Sequence, residues 1–140
     1  MESRMTMIGL GVKDLQIATK FYEDVFGWKK VPPSNDDITF IQLNGILLSL
    51  YPRDKLAEDA TVDPFGQGFK GFSLAYNTRS REEVDDLIAD LESKGAKIVK
   101  RPQEVFWGGY SSYVADPDDN LWEIAYNPYL EMDEKGNVIG

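Results

Sequence analysis

From Met5 an extended segment leads into an amphipathic helix and three further extended segments, and from Phe69 the same series of elements begins again. The period-two runs predict strands at Met5–Val12, Trp28–Val31, Ile38–Leu43 and Ile46–Tyr51, then at Phe69–Tyr76, Lys97–Lys100, Tyr110–Ala115 and Leu121–Tyr126. Between the first two strands, Leu15, Ala18, Phe21, Tyr22 and Val25 recur at helical spacing after an N-cap at Asp14, with Gly27 as the stop. The second helix opens on Ser80-Arg81-Glu82-Glu83, a capping box, carries Val84, Leu87, Ile88 and Leu91 on one stripe, and ends at Gly95. Val12 aligns with Tyr76, Gly27 with Gly95, and Asn44-Gly45 with Asp119-Asn120, so the chain reads as an internal duplication.

A duplicated strand, helix and three strands gives an α+β fold. Two tandem βαβββ modules, about 4–58 and 69–128, would form a curved mixed sheet around a concave cavity with the helices on its outer face. The chain of 140 residues is expected to be a single domain over 1–140, with a C-terminal tail at 129–140 that either packs across a neighbour or frays. Cys and His are both absent, which removes disulfides, thiolate zinc sites and every imidazole-based triad or metal motif. The formal charge of −9 argues against nucleic acid and anionic membrane surfaces as partners. No apolar run approaches the ~20 residues of a bilayer span and the N-terminus carries no leader pattern, so a cytoplasmic location is expected.

Alternation assigns faces to the strands. Ile8, Leu10 and Val12 suit a helix-packed face, leaving Met7, Gly9 and Gly11 on the inner one; Phe72, Leu74 and Tyr76 leave Gly71, Ser73 and Ala75. In the closing strands the alignment sets Leu48 opposite Glu123 on the concave wall, with Trp122 toward the helix. A carboxylate on an apolar wall needs a hydroxyl or amide partner, a proton or a cation, since burying it unpaired costs several kcal/mol. Ser73, Ser112, Tyr110 and Tyr113 are the candidate partners. Trp107, beside Gly108-Gly109, either covers a cavity mouth or caps the core.

Gly9-Leu10-Gly11-Val12-Lys13-Asp14-Leu15 with Phe21-Tyr22 and Phe26-Gly27-Trp28, and the stretch from Phe106 to Asp118 with Leu121 to Pro128, resemble the glyoxalase/bleomycin resistance/extradiol dioxygenase group, the vicinal oxygen chelate superfamily. The resemblance implies paired βαβββ modules, commonly assembled as homodimers, with a ligand held against the concave sheets. It also implies a divalent metal on four inward positions, which map here to Met7, Leu48, Gly71 and Glu123. Only Glu123 could coordinate a hard cation, so no cofactor is expected.

Two functions compete. One is a metal-free module that sequesters a small-molecule ligand, a drug for instance, against Met7, Gly9, Leu48, Ser73, Trp107, Tyr110 and Tyr113, with the acidic balance favouring a cationic or polar-aromatic ligand. The other is an enzyme of lyase or isomerase type in which Glu123 is the catalytic general acid or base, with or without a recruited metal.

Overall fold

The computed structural model describes residues 1–139, and the chain divides after Gly68 into two compact units. The first unit holds a four-stranded mixed sheet of order β1-β4-β3-β2, with β1 at Met7–Val12, β2 at Lys30–Val31, β3 at Thr39–Gln42 and β4 at Leu47–Pro52. β1 runs parallel to β4, and β3 is antiparallel to both its neighbours. Helix α1, Leu15–Asp24, starts where the Asp14 carboxylate accepts the Ile17 amide. It buries Ala18, Thr19 and Tyr22, and the Thr19 hydroxyl meets that of Thr39 on β3 at 2.8 Å. Thr39, Ile41, Leu48, Leu50, Leu10 and Val12 therefore form the face under α1, and all six are buried. Tyr22, fully buried, is stacked on Trp28 with ring centroids 6.0 Å apart and meets Phe21 and Phe26 edge-on, which closes this core around one aromatic cluster.

A helix that periodicity does not reveal comes after β4. Helix α2, Arg53–Ala60, begins at Pro52 without a side-chain cap, has little apolar stripe, and stops at Thr61, whose φ of 58° is left-handed. It lies on the other side of the sheet. A Cβ at Gly11 would come within 3.2 Å of the Arg53 Cα and 3.4 Å of Leu56, so Gly11 lets this helix approach β1.

The second unit repeats the plan in order β5-β8-β7-β6, with β5 at Leu74–Thr78, β6 at Lys97–Glu104, β7 at Tyr110–Ala115 and β8 at Leu121–Tyr126. Helix α3, Arg81–Ser93, is capped by the Ser80 hydroxyl on the Glu83 amide, while the Glu83 carboxylate reaches back to the amide of Arg79 instead of Ser80. Ser112, Val114, Trp122, Ile124 and Thr78 are buried on the face toward α3. In the tail, the Asp133–Asn137 turn docks on its own unit through the Arg79 guanidinium, which donates to the carbonyls of Asp133 and Glu134 at 3.1 Å each. The side-chain hydrogen bond from Asn137, then the Asn137 backbone amide, holds the Asp133 carboxyl below its ordinary range.

Three placements differ from the sequence reading. β5 begins at Leu74, so Gly71, at φ 80°, and Ser73 precede the strand instead of lining it. Phe72 and Tyr76 stand exposed, and the residue buried under α3 is Thr78, because the matching N-caps are Asp14 and Ser80 and shift the repeat accordingly. Leu48 faces α1, fully buried, and not the opposite side. The cause is the hairpin. Leu43 and Ile46 close a two-residue turn with Gly45 left-handed, whereas Asp116 and Asn120 close a three-residue loop in which Asp119, not Asn120, takes φ 58°. Gly45 thus corresponds to Asp119, Leu48 to Trp122 and Ser49 to Glu123; one residue of slip exchanges the faces of a strand.

Leu48→Ala is accordingly expected to cost about 2–5 kcal/mol, the loss for truncating a buried leucine, read as a lower midpoint in urea. A side chain lining an open face would give a change near zero.

Candidate functional site

The β7–β8 hairpin carries the candidate chemistry. Tyr113 is the register partner of Glu123, and Ser111 is the partner of Ala125, so these four residues share one face of the sheet. That face is opposite α3, since Tyr110 on the alternate face donates its hydroxyl to Asp85 of α3 at 2.8 Å. On β5, Ala75 stands beside Glu123 and Asn77 beside Ala125. Ala75 beside the carboxylate is exposed and Ala125 is buried, and among the described residues no helix of this unit lies on that face.

Glu123 is half-buried, and the Ser111 hydroxyl, 3% exposed, donates to its Oε1 at 2.7 Å. This bond supplies the polar partner that the wall demands. The same bond leaves Oε2 with no hydrogen-bond partner among the described residues. Next to it, burial first and the Glu123 charge second push the Tyr113 phenol above its ordinary value, so it stays protonated and able to donate. A carboxylate oxygen and a phenolic hydroxyl therefore stand side by side with capacity to spare.

The loop that presents this strand is self-contained. Asp116, almost fully buried, accepts the amides of Asp118 and Asn120 at Oδ1 and the Asn120 side-chain amide at Oδ2. Lys70 then donates to the Asp118 carbonyl at 2.7 Å and to the Asn120 side-chain oxygen at 3.0 Å. The Asp133–Asn137 turn of the tail repeats this geometry bond for bond, with Gly136 in the left-handed position.

Of the residues singled out in the sequence, Glu123 and Tyr113 are brought together. Met7 and Gly9 lie on the face of the first sheet opposite α1, where a Cβ at Gly9 would meet the Ser49 hydroxyl at 3.4 Å. Leu48 is turned to the core, and Ser73 is exposed ahead of its strand. Tyr110 is engaged with α3: its hydrogen bond to Asp85, then burial, raises its hydroxyl above the ordinary value, and the Arg81 guanidinium lies 5.8 Å over its ring. Trp107 folds onto its own hairpin, where a Cβ at Gly109 would fall inside the indole. Ser112 donates to the Ile124 carbonyl in the core. The partner of Glu123 is Ser111, a residue that alternation from Tyr113 would have found on the same face.

A family model described as the Glyoxalase/Bleomycin resistance protein/Dioxygenase superfamily matches residues 4–124, and the chain belongs to that superfamily. It is 28% identical over 130 residues to the fosfomycin resistance protein FosX of Listeria monocytogenes, covering 89% of this chain and 90% of that protein. Among solved structures it is similar to a glyoxalase-related enzyme from Fulvimarina pelagi, at 34% identity and TM-score 0.89 over 99% of each chain. It shares its fold with a lactoylglutathione lyase from Agrobacterium tumefaciens, at 24% identity and TM-score 0.70 over 90% of this chain and 95% of that one.

The divalent metal that the family resemblance implies does not fit the residues present. At the four mapped positions, Leu48 points into the core and Gly71 lies outside its strand, which leaves a thioether at Met7 and one carboxylate at Glu123. Replacing Leu48 by its corrected counterpart Ser49 adds only a neutral hydroxyl. Among the described residues no cluster of three or more His, Cys, Asp or Glu could hold a metal ion. Hard divalent cations take several charged or carbonyl oxygens, so this donor set is too poor.

Because the Glu123 charge contributes to the raised Tyr113 value, Glu123→Gln is expected to let Tyr113 ionise at lower pH, closer to the ordinary 10.0. The difference between the alkaline phenolate titrations of the chain with Tyr113 and with Tyr113→Phe, taken in both the natural and the Glu123→Gln backgrounds, isolates Tyr113 from the other six tyrosines. An unchanged curve would mean that the two side chains are not neighbours.

Proposed function

We propose that this superfamily member binds a small polar molecule on the helix-free face of its second unit, without a metal, and acts as a sequestering module. The observation that carries the reading is the Ser111–Glu123 hydrogen bond, which holds a half-buried carboxylate in place with one oxygen left over, beside the protonated Tyr113. A group built only for packing would not retain a charge there, since well-packed apolar residues serve as well or better. Ala75 beside the carboxylate is exposed, and Glu123 with Tyr113 accepts and donates hydrogen bonds there.

A second reading, catalysis by Glu123 as general acid or base, is favoured by the same unpartnered Oε2 and by the likeness to FosX, which is itself named for fosfomycin resistance. The homodimer that the resemblance implies belongs to this proposal. Phe69 and Phe72 stand exposed ahead of β5 and would gain from being covered. Among the described residues no helix is long and apolar enough to cross a membrane.

The test is a thermal-shift screen of the whole chain against small-molecule antibiotics, fosfomycin included, followed by calorimetry on Glu123→Gln. A ligand that raises the melting temperature with rising concentration is expected. Glu123→Gln, which keeps the bond to Ser111 and removes the charge, should weaken that ligand about tenfold, or about 1.4 kcal/mol. Turnover of the ligand by the natural chain and its loss in Glu123→Gln would establish the catalytic reading instead. Manganese and zinc are expected to leave the melting temperature unchanged; a saturable rise with either would refute the metal-free proposal.

A further inference from the structure

The edge strand β6 is irregular in a way that re-aims its side chains. Ile98 pairs with Val114 on the face toward α3, and plain alternation would set Lys100 on that same face. Instead the register shifts between Ile98 and Lys100, so that Lys100 pairs with Tyr113, and shifts again before Gln103, which pairs with Ser111. Each shift inserts one extra residue, and each such bulge turns the succeeding side chains to the other face. The neighbours confirm the rotation: Arg101 turns to Glu92 of α3, making two hydrogen bonds at 2.8 and 2.5 Å, and Glu104 pairs with Arg81 of the same helix.

Two bulges in one short strand thus deliver Lys100 and Gln103 to the Glu123 face. Across it runs a row of register partners, Lys100, Tyr113, Glu123 and Ala75, with a second row of Gln103, Ser111, Ala125 and Asn77 beside it. Lys100 has no hydrogen bond or ion pair among the described residues, and Glu123 is bonded only by Ser111. A cation and a carboxylate thus share one face, separated by a phenol and not joined to each other. A lysine needed only to protect an edge from pairing would require no bulge, and Lys97 and Arg101 already charge this edge.

We infer that this face takes a small zwitterion, an ω-amino acid whose ammonium binds Glu123 and whose carboxylate binds Lys100; the inference rests on the reading that the helix-free face of the second unit is the binding surface. Lys100 and Glu123 are two strand spacings apart, roughly 9.6 Å at 4.8 Å each. The spacing is that of the backbones, and a zwitterion whose charges are set apart by a methylene chain makes a charge-assisted hydrogen bond at each end. The net charge of −9 adds a selection against simple anions, which a zwitterion escapes. The ammonium would also lie against the Tyr113 ring, which attracts cations.

The experiment is an amide chemical-shift titration of the full chain with β-alanine and γ-aminobutyrate, against β-alanine methyl ester as the cation alone and propionate as the anion alone. Saturable shifts at Lys100, Tyr113 and Glu123 are expected for the zwitterions, with affinity about tenfold above either control. Lys100→Met should reduce zwitterion binding to the level of the ester and leave the ester unaffected, while Lys100→Arg restores it; Lys100 is exposed, so both variants should melt as the natural chain does. Equal binding by Lys100→Met, or propionate binding as tightly as the zwitterions, overturns the inference. If an antibiotic from the screen shifts these amides and the zwitterions do not, the inference fails and the binding face stands. If no compound of either set shifts them, the binding face falls as well.

Discussion

The second unit depends on how one buried carboxylate closes one loop. Asp116 accepts two amides and a side-chain amide within the three-residue turn that ends at Asn120, and so commits Asp119 to the left-handed conformation. With that turn in place, the parity of the hairpin is set: Glu123 and Tyr113 emerge on one face, Trp122 and Val114 on the other. A two-residue turn such as the one at Asn44-Gly45 would change that parity by one and send the carboxylate under α3. The cost of burying a charge without a partner makes the choice of loop length consequential well beyond the loop.

The same logic governs the edge of the sheet. β7 and β8 alternate without interruption, so their faces derive from the turn, but β6 breaks its alternation twice and thereby sends Arg101 and Glu104 to α3 and Lys100 and Gln103 away from it. Pro102 falls in this irregular stretch, on an edge where a missing amide is tolerated. The result is a sheet whose helix side is apolar with a charged fringe, and whose other side carries a hydroxyl-bound carboxylate, a phenol and a lysine around two alanines. The superfamily membership of the chain explains the architecture, whereas these side chains depart from a metal-binding set and direct attention to ligand recognition by charge and hydrogen bonds.

Much of this could be read along the chain. The duplicated order of strand, helix and three strands comes from periodicity; the caps at Asp14 and Ser80 come from their carboxylate or hydroxyl acting on the first free amides; and the opposite orientation of Trp122 and Glu123 comes from alternation alone. The absence of imidazole and thiolate likewise limits the chemistry before any fold is known. Local rules suffice wherever a signal lies within a few residues of its effect.

Tertiary structure decided what depends on counting across an interruption. Asp119 and Asn120 both tolerate a positive φ, so composition cannot say which takes it, and that single residue determines whether Leu48 or Ser49 corresponds to Glu123. The bulges of β6 exist only against the hydrogen-bonding partner β7, and α2, which buries only Ala57, lies close to β1 where Gly11 has no side chain. Ser111 became the partner of Glu123, and Tyr110 the partner of Asp85, because strand pairing brings together residues that the sequence keeps apart. Side-chain direction in a strand is a parity, and parity is preserved by regular backbone and reset by every extra residue that only the folded sheet accommodates.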